Sequence, residues 1–178
     1  SDISDIDSIV VFGLQIHLDN LSKRITMDDV NEAKTMFEEH IGGFNYDDWK
    51  YIVDKHDGYL PIKVRAVAEG TIVPAGNVIL TVENTDDRLF WLPNFIETKL
   101  MRVWKPITIA TISYKYKAIL KENMLRTCDN LNGLPFMVHD FSSRSASGYE
   151  DSYMGSLAHL VNFMGTDTTS ALFAAKKF

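Results

Sequence analysis

The C-terminal part of the chain contains the pattern that most restricts its fold, because two short apolar runs each end in polar, hydroxylated side chains. Residues 136–138 lead into His139 and Asp140, and residues 160–163 lead into a Gly-Thr-Asp-Thr sequence at 165–168. Helix-forming sequence lies between and after the two runs. This alternation of β and α segments predicts parallel strands joined by right-handed crossover connections.

The polar residues that follow these strands are the first candidates for a functional site. In parallel α/β folds, barrels included, ligands bind beyond the carboxyl ends of the strands. We therefore expect the apolar run to hold the second strand in the core and to place Asp167 at its rim. The other side chains expected at this edge are His139, Asp140, Phe141, Arg144 and Thr166.

Two helices are predicted in the N-terminal part of the chain. Thr26 is a good N-cap, and Asp28 and Asp29 follow in the first turn, where negative charge favours a helix. The second helix is expected to have Asn45 as its N-cap and to be stopped by Gly58. The expected inner faces are Met27, Val30, Ala33, Phe37 and Ile41 in the first helix, and Trp49, Ile52 and Val53 in the second.

The middle of the chain changes to a strand pattern at Pro61. Apolar and polar residues alternate over 62–68, a turn follows at 74–77, and residues 78–82 read as the partner strand. Two further helices are expected over 89–104 and from Pro106 to about Leu125, whereas residues 9–14 fit either a strand or a buried helix. We therefore predict an α/β protein with an α+β region at 1–133 and a separate β/α region at 134–178.

Composition excludes several classes of function. The formal net charge of −6 and the scattered basic residues argue against a nucleic-acid-binding surface. No apolar stretch approaches the roughly 18 residues that cross a bilayer. Cys128 is the single cysteine, so an internal disulfide and a thiolate metal cluster are both excluded. These features favour a reducing, cytoplasmic setting.

Several ordered segments also carry a family signature. They are VHDF at 138–141, AHLVNF at 158–163, GTDT at 165–168, DGYLPI at 57–62, VENTD at 82–86 and PITIAT at 106–111, with shorter matches at 13–15, 76–78 and 96–98. Together they resemble the nicotinamide phosphoribosyltransferase family of type II phosphoribosyltransferases. The resemblance implies that residues 134–178 begin an incomplete α/β barrel, which the family couples to a mostly β domain.

The resemblance also implies an activity. Members of this family join nicotinamide to phosphoribosyl pyrophosphate, giving nicotinamide mononucleotide and pyrophosphate. They usually require Mg²⁺ and work as homodimers whose active sites lie at the subunit interface. The match ends at Phe178, before the family's later barrel strands, its catalytic-site histidine and its glycine-rich phosphate loops. We therefore expect a fragment or a truncated form, and we assign no catalytic residue and no metal ligand.

Three residues match substrate-binding positions of the family. Asp167 corresponds to the aspartate that accepts a hydrogen bond from the nicotinamide amide, Phe141 to the aromatic residue that stacks on the pyridine ring, and Arg144 to an arginine on the phosphate side. The chemistry of each residue agrees. A carboxylate accepts from an amide but repels the carboxylate of nicotinate, a flat ring suits an aromatic substrate, and a guanidinium suits phosphoryl oxygens.

Two positions depart from the family pattern. Ser142 and Ser145 stand where the family has glycine, so we expect strain or narrowing of this loop if those glycines adopt positive φ or allow a close approach of the backbone. Alternatives also remain for the site residues themselves. Asp167 fits a plain helix N-cap, Arg144 a solvated surface charge, and Phe141 ordinary core packing.

The paired His139 and Asp140 suggest metal binding or acid–base chemistry, although their spacing matches no known ligand pattern. His159 is better interpreted as a structural histidine than as a catalyst. Two other functions also stay open: a relative that uses nicotinate, and a catalytically inactive binding or dimerisation module.

Overall fold

The computed structural model describes residues 6–178, and its mixture of helices and small sheets confirms the predicted α/β class. The strands are β1 (Ser8–Val10), β2 (Ile62–Ala66), β3 (Ile72–Pro74), β4 (Leu80–Asn84), β5 (His139–Asp140) and β6 (Gly165–Thr166). The helices are α1 (Leu14–Leu21), α2 (Met27–His40), α3 (Tyr46–Lys55), α4 (Leu92–Leu100), α5 (Trp104–Thr127), α6 (Tyr149–Leu160) and α7 (Thr169–Lys177).

The chain forms two compact units, and each is built from discontinuous segments. One unit contains residues 15–66 and 80–100, and the other contains the described residues up to 14 together with 67–79 and 101–178. The predicted division into regions 1–133 and 134–178 stays a prediction. No helix within residues 6–178 is both long enough and apolar enough to cross a membrane.

Helix α2 begins at the predicted cap. The Thr26 hydroxyl accepts a hydrogen bond from the Asp29 N–H at 3.2 Å, and the Asp29 carboxylate accepts one from the Thr26 N–H at 2.8 Å. This reciprocal pair satisfies two N–H groups that the first turn leaves without partners. Hydrogen bonds from the Thr26 hydroxyl and N–H also lower the pKa of Asp29. The predicted inner face is only partly right, because Val30 is buried whereas Ile41 is 71% exposed.

Replacing Thr26 with alanine is expected to lower the free energy of unfolding by about 1 kcal/mol, because the Asp29 N–H loses its acceptor. Thr35 offers a matched control within α2, since its hydroxyl bonds only to the carbonyl of Asn31, four residues earlier. Thr35→Ala should leave stability nearly unchanged in the same urea titration. Equal losses in the two variants would show that the cap does not stabilise this helix.

Helix α3 buries Trp49 and Ile52, as predicted, and ends before a tight turn at Asp57 and Gly58. Gly58 has a φ of +79°, and a Cβ placed there would lie 2.1 Å from the carbonyl oxygen of Ile25. The Gly58 carbonyl accepts from the Ile25 N–H at 2.9 Å. Glycine is therefore required both for its backbone conformation and for this close approach.

Strands β2 and β4 form the predicted antiparallel pair, in which Val64 lies opposite Val82. The partner strand begins at Leu80, two residues later than expected. The predicted turn at 74–77 does not join the two strands directly, because residues 67–79 leave this sheet. Within residues 67–79, β3 pairs antiparallel with β1. Residues 9–14, for which a strand and a buried helix were both possible, therefore contain the end of strand β1 and the first residue of α1.

In the unit that contains the C-terminal segment, β1 packs against α5. Val10 is buried with Ala110 and Ala158, and its N–H donates to the Thr111 hydroxyl at 3.0 Å. Pro106 lies in the first turn of α5, where its missing N–H removes no helical hydrogen bond. The single helix predicted over 89–104 is instead divided into α4 and two 3₁₀ turns at 87–89 and 101–103.

The two C-terminal strands are shorter than expected and lie slightly later in the sequence. Phe136 and Met137 are more than half exposed, and Phe136 ends a 3₁₀ turn, so the first apolar run is not itself a strand. The second run begins at the last residue of α6, and within it Phe163 is almost completely buried. Each apolar run therefore precedes its strand.

Candidate functional site

The candidate site lies where β5 and β6 end side by side. The two strands are parallel, as predicted, with His139 opposite Gly165 and Asp140 opposite Thr166. The Asp167 N–H donates to the Asp140 carbonyl at 3.0 Å, which continues the pairing one residue further. Because the strands are parallel, the loop after β5 and the residues after β6 leave the sheet at the same edge.

His139 and Asp140 face opposite sides of β5, since successive side chains alternate along a strand. The His139 imidazole lies on the exposed side, where its Nδ1 is 3.0 Å from Oδ2 of Asp167. Asp140 is 8% exposed and faces inward. The two side chains therefore form no joint metal or acid–base site, and the interpretation of them as such a pair is wrong.

Asp140 organises the inner side of this edge. Its carboxylate accepts from the Ser142 N–H at 3.0 Å, from the Thr166 hydroxyl at 2.9 Å and from the Ser156 hydroxyl. Burial alone raises the pKa of Asp140, but the bonds from Ser156, Ser142 and Thr166 outweigh it and hold that pKa below its ordinary value. Asp140 is thus an ionised, fully engaged carboxylate that ties β5, β6 and α6 together.

A chain of serine hydroxyls extends this network to both following helices. Ser142 lies 2.8 Å from Ser156, Ser143 lies 2.6 Å from Ser152, and Ser152 lies 2.7 Å from Ser170 on α7. These contacts fasten the 142–144 turn onto α6 and α7. Sequence reasoning missed the network. The feature of the sequence that could have revealed the network is the four-residue spacing of Ser152 and Ser156, which puts both hydroxyls on one face of a helix.

Ser142 and Ser145 fit the loop without the expected strain. Asp57 is the only non-glycine residue with positive φ among residues 6–178, and Ser145 has a φ of −115°. The space that Ser142 needs is provided by Gly155 on α6, where an added Cβ would lie 3.3 Å from the Ser142 Cβ. The expectation of backbone strain is therefore wrong, and the serine side chains add hydrogen bonds to the loop.

Phe141 and Arg144 lie together at the start and end of this turn. Phe141 is 51% exposed, which rules out ordinary core packing. The Arg144 guanidinium carbon lies 5.4 Å from the centre of the Phe141 ring. Arg144 makes no salt bridge within the described part of the chain. The turn thus presents an exposed aromatic ring with a cation lying over it.

Asp167 does not cap a helix. The N-cap position of α7 is Thr168, whose side chain makes no capping hydrogen bond, whereas the Asp167 side chain is 51% exposed and contacts His139. The N-cap interpretation of Asp167 is therefore wrong. The Asp167 carboxylate is therefore accessible to solvent at the end of β6, and one of its oxygens, Oδ2, is hydrogen-bonded to the His139 imidazole.

His159 has a structural role, as interpreted from the sequence. Its Nε2 lies 3.2 Å from the Val138 carbonyl, which can only accept, so Nε2 carries the proton and Nδ1 accepts from the Ser113 hydroxyl at 3.0 Å. The ring also stacks on Phe163 at 5.0 Å. Burial lowers the pKa of His159, which keeps the imidazole neutral in this setting.

The described residues do not provide a binding site for a metal ion. No three His, Cys, Asp or Glu side chains within residues 6–178 lie close enough together to hold one.

Comparison with known proteins places these features in a family. Residues 2–64 match the family described as "Nicotinamide phosphoribosyltransferase, N-terminal domain". A nicotinamide phosphoribosyltransferase from Xanthomonas campestris is 45% identical over 96% of this chain and 37% of its own length. One from Acinetobacter baylyi is 40% identical over 72% of this chain and 26% of its own length. The matched part of the chain therefore covers between about a quarter and a little over a third of the length of these two relatives.

Proposed function

This chain belongs to the nicotinamide phosphoribosyltransferase family, matching its N-terminal region, and from that premise we propose that it is part of an enzyme of NAD salvage. The enzyme joins nicotinamide to phosphoribosyl pyrophosphate, giving nicotinamide mononucleotide and pyrophosphate. The ring nitrogen of nicotinamide forms a bond to C1 of the ribose, and the bond from C1 to the pyrophosphate oxygen breaks. The pyrophosphate leaves with that electron pair.

The observation that carries this proposal is the position of Asp167. Its carboxylate is accessible at the edge where β5 and β6 end, and His139 contacts only its Oδ2. The other oxygen can accept from the amide N–H of nicotinamide. Nicotinate would place a second negative charge against the same group, which is strongly unfavourable at close range.

Phe141 and Arg144 complete the proposed substrate contacts. The exposed Phe141 ring provides a face on which the pyridine ring stacks. Arg144, adjacent to that ring, neutralises charge on the phosphate side as the pyrophosphate departs. The Asp140 and serine network fixes the turn that carries both residues.

We propose that Mg²⁺ enters as a complex with phosphoribosyl pyrophosphate, since Mg²⁺ in such reactions is held largely by substrate phosphates. The described residues do not form a site for the ion, so no step here depends on it.

The proposal extends to assembly and location. Following the family resemblance, we propose a cytoplasmic homodimer with active sites shared between subunits. Large apolar side chains that are well exposed, including Trp104 at 61% and Phe173 at 68%, are consistent with burial against a partner. Sedimentation equilibrium of the complete source polypeptide tests this, and a monomer at micromolar concentration would contradict it.

The direct test is turnover by the complete polypeptide that carries this sequence. With phosphoribosyl pyrophosphate and Mg²⁺, we expect nicotinamide to be used at least about a hundredfold more efficiently than nicotinate, because like charges in contact cost several kcal/mol. Equal use of both substrates would favour a nicotinate-using relative. Binding of nicotinamide without turnover would instead favour an inactive binding module.

A further inference from the structure

The His139 side chain packs against β6, and it can do so only because the residue opposite it, Gly165, has no side chain. His139 and Gly165 are directly opposite in the parallel pair. A Cβ added to Gly165 would lie 2.6 Å from Cδ2, 2.7 Å from Nε2 and 3.0 Å from Cγ of the imidazole. Gly165 does not have the positive φ that would by itself require glycine. It is needed here because the ring occupies the space of a side chain.

This packing aims the imidazole at Asp167. Nδ1 of His139 lies 3.0 Å from Oδ2 of Asp167, and since a carboxylate only accepts, Nδ1 carries the proton. The bond restrains the rotation of the Asp167 side chain. Because His139 contacts Oδ2, the other oxygen, Oδ1, can accept from a second donor.

We propose that His139 is a positioning residue for substrate selection: seated on Gly165, it holds the Asp167 carboxylate in the orientation that accepts the carboxamide of nicotinamide. This inference rests on the proposed function, because it concerns the same site. A held carboxylate cannot turn away from an incoming nicotinate, so the same bond that favours the amide maintains repulsion of the acid.

The contact between His139 and Asp167 is expected to contribute little to the stability of the fold. A positioning role for His139 can therefore be distinguished from a structural role. The side chains of His139 and Asp167 are 43% and 51% exposed, and polar contacts between side chains at such exposure contribute little to folding. His139→Ala should therefore leave the thermal midpoint nearly unchanged. Its effect should appear in catalysis, as a lower kcat/KM for nicotinamide and a smaller preference for nicotinamide over nicotinate.

A double-mutant cycle in the complete polypeptide tests the coupling. His139→Ala is expected to lower kcat/KM for nicotinamide about fivefold when Asp167 is present, and to have no further effect in Asp167→Ala. His139→Asn should recover most of the loss, because its amide nitrogen can donate from nearly the position of Nδ1. Additive losses in the cycle, or the same loss in His139→Asn as in His139→Ala, would overturn the proposal.

Gly165→Ala provides an independent route to the same prediction. The added methyl group displaces the imidazole, so this variant should reproduce the defect of His139→Ala although the histidine is still present. Gly133→Ala is the matched control, since a Cβ there meets nothing within 4 Å and its φ is −79°. An unchanged preference for nicotinamide over nicotinate in Gly165→Ala would contradict the proposal that His139 must pack on Gly165 to orient Asp167.

Nitrogen-15 NMR of the His139 ring distinguishes the failure of this inference from the failure of the proposed function. The neutral ring should hold its proton on Nδ1, and in Asp167→Ala that preference should disappear. An unchanged tautomer in Asp167→Ala would overturn the role of His139 even in an active enzyme. Absence of nicotinamide turnover by the unaltered protein would overturn the proposed function, and with it the role of the pair in substrate selection.

Discussion

Asp167→Ala is expected to lower kcat/KM for nicotinamide by roughly a hundredfold, because a hydrogen bond to a charged group contributes about 1.5–3 kcal/mol. The loss follows from the exposed carboxylate at the end of β6, which is the proposed acceptor for the substrate amide. Initial rates over a range of nicotinamide concentrations, at saturating phosphoribosyl pyrophosphate, measure the effect.

Two companion variants make this result specific. Asp167→Asn keeps an acceptor but removes the charge, so the preference for nicotinamide over nicotinate should fall more than nicotinamide use itself. Asp129→Ala is the matched control, since Asp129 is exposed and lies away from β5 and β6 in the sequence. If Asp167→Ala and Asp129→Ala have equal activity, Asp167 is not the substrate acceptor.

Asp140→Ala is expected to lower the free energy of unfolding by about 3 kcal/mol, because two donors lose their acceptor and a third, the Ser156 hydroxyl, retains the Ser152 carbonyl. Those donors are the Ser142 N–H and the hydroxyls of Thr166 and Ser156, which belong to the turn, to β6 and to α6. The loss should appear as a lower urea midpoint. A change within 0.5 kcal/mol, roughly the range of ordinary surface substitutions, would contradict the role assigned to this carboxylate.

The same carboxylate should make stability dependent on pH in acid. The pKa of Asp140 is lower in the folded chain than in the unfolded chain, since the bonds from Ser156, Ser142 and Thr166 outweigh the effect of burial. Its contribution is therefore fully present above about pH 4, the ordinary range of an aspartate, and is lost as pH falls through the depressed folded value.

Comparing urea midpoints at pH 7, 4 and 3 measures this dependence. Asp140→Asn removes the titrating group, so its stability should fall less steeply than that of the unaltered chain. Asp129→Asn, as the control, should follow the unaltered chain. Parallel curves for Asp140→Asn and the unaltered chain would show that Asp140 does not supply the acid-sensitive stability.

Local rules were sufficient for part of this structure. Thr26 caps α2 because its hydroxyl needs only an N–H three residues away, and a pattern within one turn reveals that. The alternation over β2 follows from the two-residue period of a strand. The placement of Asp167 beside the loop after β5 also followed from sequence, because the β/α alternation implies parallel strands that end at one edge.

Other features depend on residues that are far apart in the sequence. β3 pairs with β1 across more than sixty residues, and an apolar run does not show which strand it will meet. His139 reaches Asp167 only because the facing residue is Gly165, and the serine hydroxyls meet only when α6 and α7 pack against the turn.

The sequence by itself determined the Thr26 cap of α2, the strand alternation and the edge at which the site lies, because these depend on patterns within short segments of the chain. The tertiary structure alone decided which side chains face each other there. Thr166 as a hydrogen-bond partner of Asp140, and His139 as the partner of Asp167, are set by strand register, which brings residues far apart in the sequence to within 3.0 Å of each other.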